Sequence, residues 1–390
     1  MRILIVTPEY PPKHVGGGGI VYRSLAKEFK RVGHDVTVLA GDFHNRSLMG
    51  GISHVNDDGV DIFFLPLVPA PRMGNMNLVT CTPPTALAFA FLAYKIVKGG
   101  YDIIHLHGVG HPLVDIAAIL CIVFRKRYVF TCHGIPKSPE SAGLVFHLVF
   151  KAYLALLERF VVGKAKALTA VSHSLLEECV RKGLISRRMV VVPNGPNPDL
   201  NSVEAELVEK VEGRYSLTGK KLIFSVGRLA QTKGFQYLIR AMPYVISKIP
   251  DAIAVIAGTG PYRSELEKLV NEGSLQHHVK LVGWISEEEK AAFYQLAQVV
   301  VIPSTYEPFG IIVLEALTMH KPIIAFNISP ISEMINNGVN GLLVPSGNVE
   351  KLADAILQIL SNSNLRRRLA SNTYSVSSFQ WEDAARKYLH

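Results

Sequence analysis

Short runs of Val, Ile, Leu and Phe recur along this chain, and they are continuous rather than alternating: RILIVT at 2–7, DVTVLA at 35–40, VDIFFL at 60–65, DIIHL at 102–106, YVFTC at 128–132, ALTAV at 167–171 and MVVVP at 189–193. Helix-length segments separate most of them. A strand that is apolar at successive positions must be covered on both faces, and strands that alternate with helices pair in parallel, so the pattern predicts a parallel sheet with helices on either side. After residue 193 the stretch NGPNPDLNS breaks the pattern with Pro, Asn and Gly, as a domain boundary or linker does. The pattern then restarts, with LIFSV at 222–226, IAVIA at 253–257, VKLV at 279–282, VVVI at 299–302, PIIAF at 322–326 and GLLV at 341–344. The expectation is an α/β chain of two doubly wound domains, 1–195 and 196–379, taking ligands at the carboxyl ends of their strands in a cleft between them. A chain of 390 residues, 48% of them apolar, has enough material for two cores.

Other classes are disfavoured. MRILIVT reads as a strand that starts at once, without the basic, apolar and small-residue order of a signal peptide, so export is not expected. Cys81, Cys121, Cys132 and Cys179 are widely spaced and form no C-x-x-C pair, which argues against a zinc site or disulfide framework and fits a reducing cytoplasm. The apolar run LVFHLVFKAYLALLERFVV at 144–162 carries Lys151, Glu158 and Arg159, so it reads as a buried or interfacial helix rather than a membrane span. The net charge of +9 lies wholly in residues 1–195, which hold 22 Lys+Arg against 13 Asp+Glu, whereas residues 196–390 hold 19 of each. The excess gathers at Arg125, Lys126 and Arg127, at Lys151, Arg159, Lys164 and Lys166, and at Arg181, Lys182, Arg187 and Arg188; it suggests an anionic partner or a solvated basic surface.

Residues at the strand ends carry the chemistry. In the first half, Gly16 to Gly19 lead into an amphipathic helix, where backbone N–H groups can approach an anion; the spacing is not a dinucleotide fingerprint, and a flexible loop is the plain alternative. The strand ending in TCHG places His133 at a carboxyl end, while His105 reads as a core residue. In the second half, VGRLAQTKG puts Arg228 and Lys233 at a strand-to-helix turn, a diphosphate grip with one bidentate donor and one point charge. VVVIPSTYEPFGIIVLEAL then places Glu307 just before a helix that opens at Gly310 and carries Glu315. Carboxylates repel phosphate but accept from hydroxyls, so two of them flanking a diphosphate grip suit a ribose diol and a sugar, the layout of a nucleotide sugar.

The ordered set GGGGI, TCHG, VGRL followed by KG, GTGP at 258–261, PSTYEPFGIIVLEAL with its E-x7-E spacing, and the terminal FQWEDAARKYL resembles family 4 glycosyltransferases of the GT-B structural class over nearly the whole chain. The resemblance implies two Rossmann-like domains. The first binds the acceptor, with a C-terminal helix at about 380–390 packing back on it; the second binds the donor. It further implies a retaining transferase acting on a UDP-, GDP- or ADP-linked sugar, without a cofactor or a required metal. Carried onto this sequence, Arg228 and Lys233 would hold the diphosphate with help from the backbone near Gly18 and Gly19, and Glu315 would bind the ribose. Glu307 and the N–H groups of Phe309, Gly310 and Ile311 would contact the transferred sugar, His133 would reach it from the first domain, and the base would lie near Val282 and Gly283. No D-x-D motif occurs, so cationic side chains must balance the leaving diphosphate, and a leaving group that is already a stable anion needs no acid catalyst. The chain departs from the family at Met319, His320 and Lys321, where a small residue and glycine are usual, at Ser329 to Ser332 ahead of Glu333, and in its NGPNPD linker.

The acceptor is left open among a sugar, a glycan and a lipid-linked molecule. The basic first half and segment 144–166, with Lys151, Lys164 and Lys166, would suit peripheral contact with an anionic membrane at its inner face. A nucleotide-sugar epimerase and a non-catalytic nucleotide-sugar binding protein are the alternatives; nucleic acid is not expected, because no aromatic-interleaved basic motif is present.

Overall fold

The computed structural model describes residues 1–13, 17–43, 47–69, 82–136, 143–200, 203–372 and 378–389. Gly16 and Cys81 lie outside them. The chain divides into two compact units, Met1–Asn194 with Trp381–His390, and Gly195–Gln380.

In unit 1 eight strands form one sheet: β1 (Arg2–Thr7), β2 (Asp35–Asp42), β3 (Ser53–Asp57), β4 (Val60–Pro66), β5 (Ile103–His107), β6 (Tyr128–Cys132), β7 (Ala167–Ala170) and β8 (Met189–Val191), in the spatial order β3-β4-β2-β1-β5-β6-β7-β8. All pairs are parallel except β3 with β4. The strands that read as continuous apolar runs are the buried ones: β1 is buried at every position after Arg2, and β6 along its whole length. β3 was not expected. It is an exposed edge strand of polar residues, joined to β4 by Asp58 and Gly59, whose φ of 53° and 82° match the two-residue hairpin turn with both central residues left-handed.

The apolar run at 144–162 folds as helix Leu144–Tyr153, a π-helical turn Leu154–Glu158 and helix Arg159–Lys164. The wider turn carries Glu158 inward, where it is fully buried and accepts the Gly110 N–H at 2.7 Å. Beside it lies Asp115, hydrogen-bonded by the Tyr153 hydroxyl. Burial, and then the neighbouring Glu158, hold the Asp115 carboxyl well above the usual carboxylate range. Helix Trp381–Leu389 packs on this unit through Tyr388, whose ring lies 4.5 Å from His105 and 6.3 Å from Phe29, and through an Arg31–Glu382 ion pair at 3.2 Å. Cys121, Cys132 and Cys179 are buried free thiols.

Unit 2 holds six parallel strands, β9 (Lys221–Val226), β10 (Ala252–Ala257), β11 (Val279–Gly283), β12 (Val299–Ile302), β13 (Ile323–Phe326) and β14 (Leu342–Val344), in the order β11-β10-β9-β12-β13-β14. Every residue of β10, β12 and β13 is buried, as a sheet covered on both faces requires. Ile239, Met242, Ile256, Phe326, Ile356 and Ile359 are among the residues of the core on one face. Each unit is thus a Rossmann-like fold, and the chain has the GT-B composition expected from its sequence. Among the described residues no helix is long and apolar enough to cross a membrane.

Candidate functional site

In each sheet the winding direction reverses once, and the crevice there is the natural ligand site of a doubly wound fold. In unit 2 the reversal lies between β9 and β12. These strands pair only at Ile223/Val299 and Phe224/Val300; beyond that they part, with the Ser225 hydroxyl donating to the Val301 carbonyl at 2.6 Å. Gly227 and Arg228 leave β9 at the opening, and Pro303 and Ser304 leave β12.

The turn after β9 is a 3-10 turn, Gln231–Lys233, followed by helix Phe235–Lys248. Gly234 between them has φ 72°, and a Cβ there would stand 1.7 Å from the Pro303 carbonyl oxygen, so only glycine lets this turn lie against the end of β12. That contact brings Lys233 to Glu307: its ammonium pairs with the carboxylate, which also accepts from the Ser304 hydroxyl at 3.0 Å. Glu307 is 7% exposed, so this pairing satisfies a charge that would otherwise be buried alone. Arg228 is exposed at the same turn.

Phe309 is buried and Gly310, at φ 96°, caps helix Ile311–Thr318. The first intrahelical bond runs from Val313 N–H to Gly310 C=O, so the amides before it, at Ile311 and Ile312, belong to the open first turn and bear the partial positive charge of a helix N-terminus. Glu315, one turn on, is 1% exposed, and the structure places it in a separate buried cluster. It accepts from Lys290 at 2.8 Å and from the Tyr294 hydroxyl at 2.9 Å. Burial works to lower the Lys290 pKa, but Glu315 and Glu287 outweigh it and hold it above the usual value. Val282 and Gly283 end β11; the Gly283 carbonyl accepts from Gly258 N–H at 2.6 Å, and the next residue, Trp284, is 73% exposed.

In unit 1 the reversal lies between β1 and β5. Glu9, just past β1 and 8% exposed, accepts the Gly19 N–H at 3.2 Å, so a carboxylate already answers the first turn of helix Gly17–Arg31, the turn that Gly18 also builds. At the ends of β5 and β6, His107 Nδ1 and His133 Nε2 share a hydrogen bond of 2.8 Å, with the Tyr22 ring edge-on to both. Burial lowers the His133 pKa to about 3 and the His107 pKa well below its usual value, so both imidazoles are neutral near pH 7. His105 is a core residue, hydrogen-bonded to Thr131 at 2.6 Å, with its pKa lowered by burial to about 3.

Of the residues singled out from the sequence, the fold joins Lys233 to Glu307 directly, sets Arg228 and Gly310 at the same strand ends, and leaves Glu315 to Lys290 and Tyr294. Ser304, Lys290, Tyr294, Glu9 and His107 were not expected to take part. Ser304 stood within the quoted PSTYEPFG stretch; Lys290, in EEEK, looks like a solvated run until the fold buries it.

Residues 15–200 match the family described as Glycosyltransferase Family 4, and residues 210–376 match Glycosyl transferases group 1. An uncharacterized glycosyltransferase of Methanocaldococcus jannaschii is 30% identical over 400 residues, covering 99% of this chain and 96% of that protein. The chain belongs to the family 4 glycosyltransferases. Over 55% of its length this glycosyltransferase is also 33% identical to the alpha-D-kanosaminyltransferase of Streptomyces kanamyceticus, covering 56% of that protein. Among solved structures, the sucrose-phosphate synthase of Thermosynechococcus elongatus superposes with a TM-score of 0.77 at 23% identity, covering 100% of this chain and 97% of that one. Anabaena HepE, in complex with UDP-glucose, superposes at 0.75 and 20% identity, covering 100% and 98%.

Proposed function

We propose that this glycosyltransferase is a retaining enzyme that moves a hexosyl group from a nucleoside diphosphate sugar, bound by unit 2, to an acceptor bound by unit 1, without a required metal ion. The observation that carries the reading is the cationic crevice between β9 and β12, where Lys233, Arg228 and the open first turn at Gly310 supply positive charge at the switch point of the sheet. The donor's diphosphate takes Glu307's place as the partner of Lys233, with Arg228 as a second cation. Glu307, released from Lys233 but still held by Ser304, accepts a hydroxyl of the sugar. The glycosidic C–O bond breaks with its electron pair going to the phosphate oxygen. The acceptor oxygen bonds to the anomeric carbon on the same face, and its proton passes to the departing phosphate. His133, being neutral, serves the sugar as a hydrogen-bonding group rather than as an acid. Glu315, fixed by Lys290 and Tyr294, keeps only its remaining lone pairs for a ribose hydroxyl. The base lies by Val282 and Gly283, where exposed Trp284 offers an aromatic face.

Which nucleotide is used is tested by thermal unfolding with UDP, GDP, ADP and NAD in turn, without metal. Ligand at about a hundred times its dissociation constant adds about 2.7 kcal/mol, so a selective shift by one nucleoside diphosphate, lost in Lys233→Ala, is expected; no shift with any of them overturns the donor site. Solved neighbours carry UDP-glucose or ADP in their structures, which supports starting with those two. Anomeric coupling in the product's proton NMR spectrum decides retention, and conversion of donor to an epimer without acceptor would instead make the protein an epimerase.

One observation favours a membrane-bound acceptor. Along Leu144–Lys164 the side chains of Leu148, Leu156 and Phe160 are 58%, 73% and 49% exposed, with Lys151 and Lys164 among them. Such a face suits the interface of an anionic bilayer. Sedimentation with anionic vesicles, abolished by Leu148→Asp with Leu156→Asp, is the expected result; no binding by the unaltered protein refutes this part.

A further inference from the structure

The hydrogen bond between His107 and His133 needs one proton, and which ring supplies it decides what His133 can offer a ligand. β5 and β6 run in parallel register with His107 opposite Thr131, and His133, two residues past Thr131, comes back to the same face of the sheet. His107 Nδ1 and His133 Nε2 meet there at 2.8 Å, with the two rings 21° from parallel. His107 is fully buried, packed against the His105 ring at 3.9 Å and the Tyr22 ring at 5.2 Å. His105 is itself held by Thr131, so the His107 ring has little room to turn. His133 is half-buried, at the end of β6 where the crevice of unit 1 begins.

Burial keeps both imidazoles neutral, so each ring carries one N–H and one bare nitrogen. Two arrangements close the bond between them. If His133 Nε2–H donates, the His107 proton must sit on Nε2, an atom buried without a hydrogen-bond partner among the described residues. That arrangement orphans a buried N–H, which folded proteins rarely tolerate. If His107 Nδ1–H donates, the same Nε2 is a bare lone pair, the milder defect, since neighbouring C–H groups satisfy part of it. His133 Nε2 is then the acceptor. Its own proton is forced onto Nδ1, the ring nitrogen that His107 leaves open.

We infer that His107 is a positioning residue: it donates through Nδ1–H to His133 Nε2 and so locks His133 as the Nδ1–H tautomer, a hydrogen-bond donor toward a hydroxyl of the transferred sugar. The inference rests on the proposed function, in which His133 serves the sugar, and gives that contact its direction. Glu307, a carboxylate, can only accept from sugar hydroxyls. A donating His133 has the opposite sense, so a hydroxyl whose hydrogen is committed elsewhere is still recognised through its oxygen. His107 touches no substrate in this scheme and acts only through the ring it orients.

The test is nitrogen–proton correlation NMR of the imidazoles in the ligand-free, full-length protein, with the His133 signals assigned by comparison with His133→Gln. The unaltered protein should show His133 and His107 each protonated on Nδ1. In His107→Asn the side-chain amide offers an N–H at the place of Nδ1, so the His133 tautomer should persist. In His107→Leu the donor is gone, and both His133 tautomers should appear. For whichever of UDP-, GDP- and ADP-glucose binds, calorimetry compares the sugar nucleotide with its bare diphosphate. That affinity ratio should fall about fivefold in His107→Leu and change by less than about twofold in His107→Asn, as expected for one neutral hydrogen bond. A His133 proton on Nε2 in the unaltered protein overturns the inference, a result that needs no variant to fold. So does a His107→Leu protein with tautomer and affinity ratio unchanged. No binding of any of the three overturns the donor site and the sugar as ligand, a failure distinct from that of the tautomer.

Discussion

Replacing Lys233 by Met keeps the aliphatic stem and removes the ammonium that faces Glu307. The carboxylate is then left with the Ser304 hydroxyl at 3.0 Å in a position 7% exposed. A hydrogen bond to a charged group contributes about 1.5–3 kcal/mol, and stranding one partner of a fully buried ion pair costs about 3–5 kcal/mol. The Lys233 side chain is 27% exposed, so water reaches its end of the pair and screens it; a loss of about 2 kcal/mol is expected. The double variant Lys233→Met with Glu307→Gln is the decisive comparison. With no carboxylate left to strand, its loss should be smaller than the sum of the two single losses by about 1 kcal/mol or more. Urea unfolding followed by circular dichroism measures all three, with an unchanged denaturant slope as the check that only stability has moved. In turnover assays Lys233→Met should lower kcat/KM by about a hundredfold or more, the usual cost of one preorganised charge donor. A loss below about 0.5 kcal/mol with strict additivity would show that the pair does not hold Glu307, and the account of the ligand-free crevice would be wrong.

Gly234→Ala should be far more damaging than a methyl group suggests, by about 2–4 kcal/mol, because φ 72° and the Pro303 carbonyl leave no room for it; the unfolding midpoint and nucleotide binding should fall together. His320, at φ 52° just past helix Ile311–Thr318, holds a left-handed backbone position that suits glycine, so His320→Gly should stabilise by about 0.5–1 kcal/mol, read as a higher denaturation midpoint. Asp115 folds with a raised pKa, so the folded state holds a proton that the unfolded chain releases; stability is lost as pH rises above the ordinary carboxylate range. Asp115→Asn should therefore gain on the unaltered protein between pH 5 and pH 8, and a constant difference across that range would contradict the reading.

The buried parallel strands were legible because each must be apolar at every position, and β10, β12 and β13 show that pattern in the sequence before any fold is known. β3 was not, since Ser53–Asp57 is an exposed edge with no apolar run; its one signal was the Asp58-Gly59 turn ahead of Val60. Glu307 and Glu315 were visible as a pair in the E-x7-E motif, but their surroundings were not. Lys233 and Glu307 are 74 residues apart and meet only because β9 and β12 are neighbours. Lys290 sits in a charged run that reads as solvated, yet the fold turns it against Glu315. Glu158 looked like an obstacle to membrane insertion within one apolar helix; the extra residue of the π-helical turn, which no periodicity announces, is what points it inward to Gly110.

The return of Trp381–Leu389 to unit 1 makes unit 2 an insertion in the polypeptide rather than an appended domain. Residues 195–380 are leashed at both ends, so a single nick near Gly195 would not release them: the fragment would stay joined through the docked helix, Tyr388 on His105 and Phe29. Closing a loop costs entropy that grows only with the logarithm of its length, so nearly two hundred residues can be spliced between the sheet and its last helix at small cost. Trimming residues 381–390 would, by the same logic, uncover the flank of unit 1 while leaving the whole of unit 2 intact.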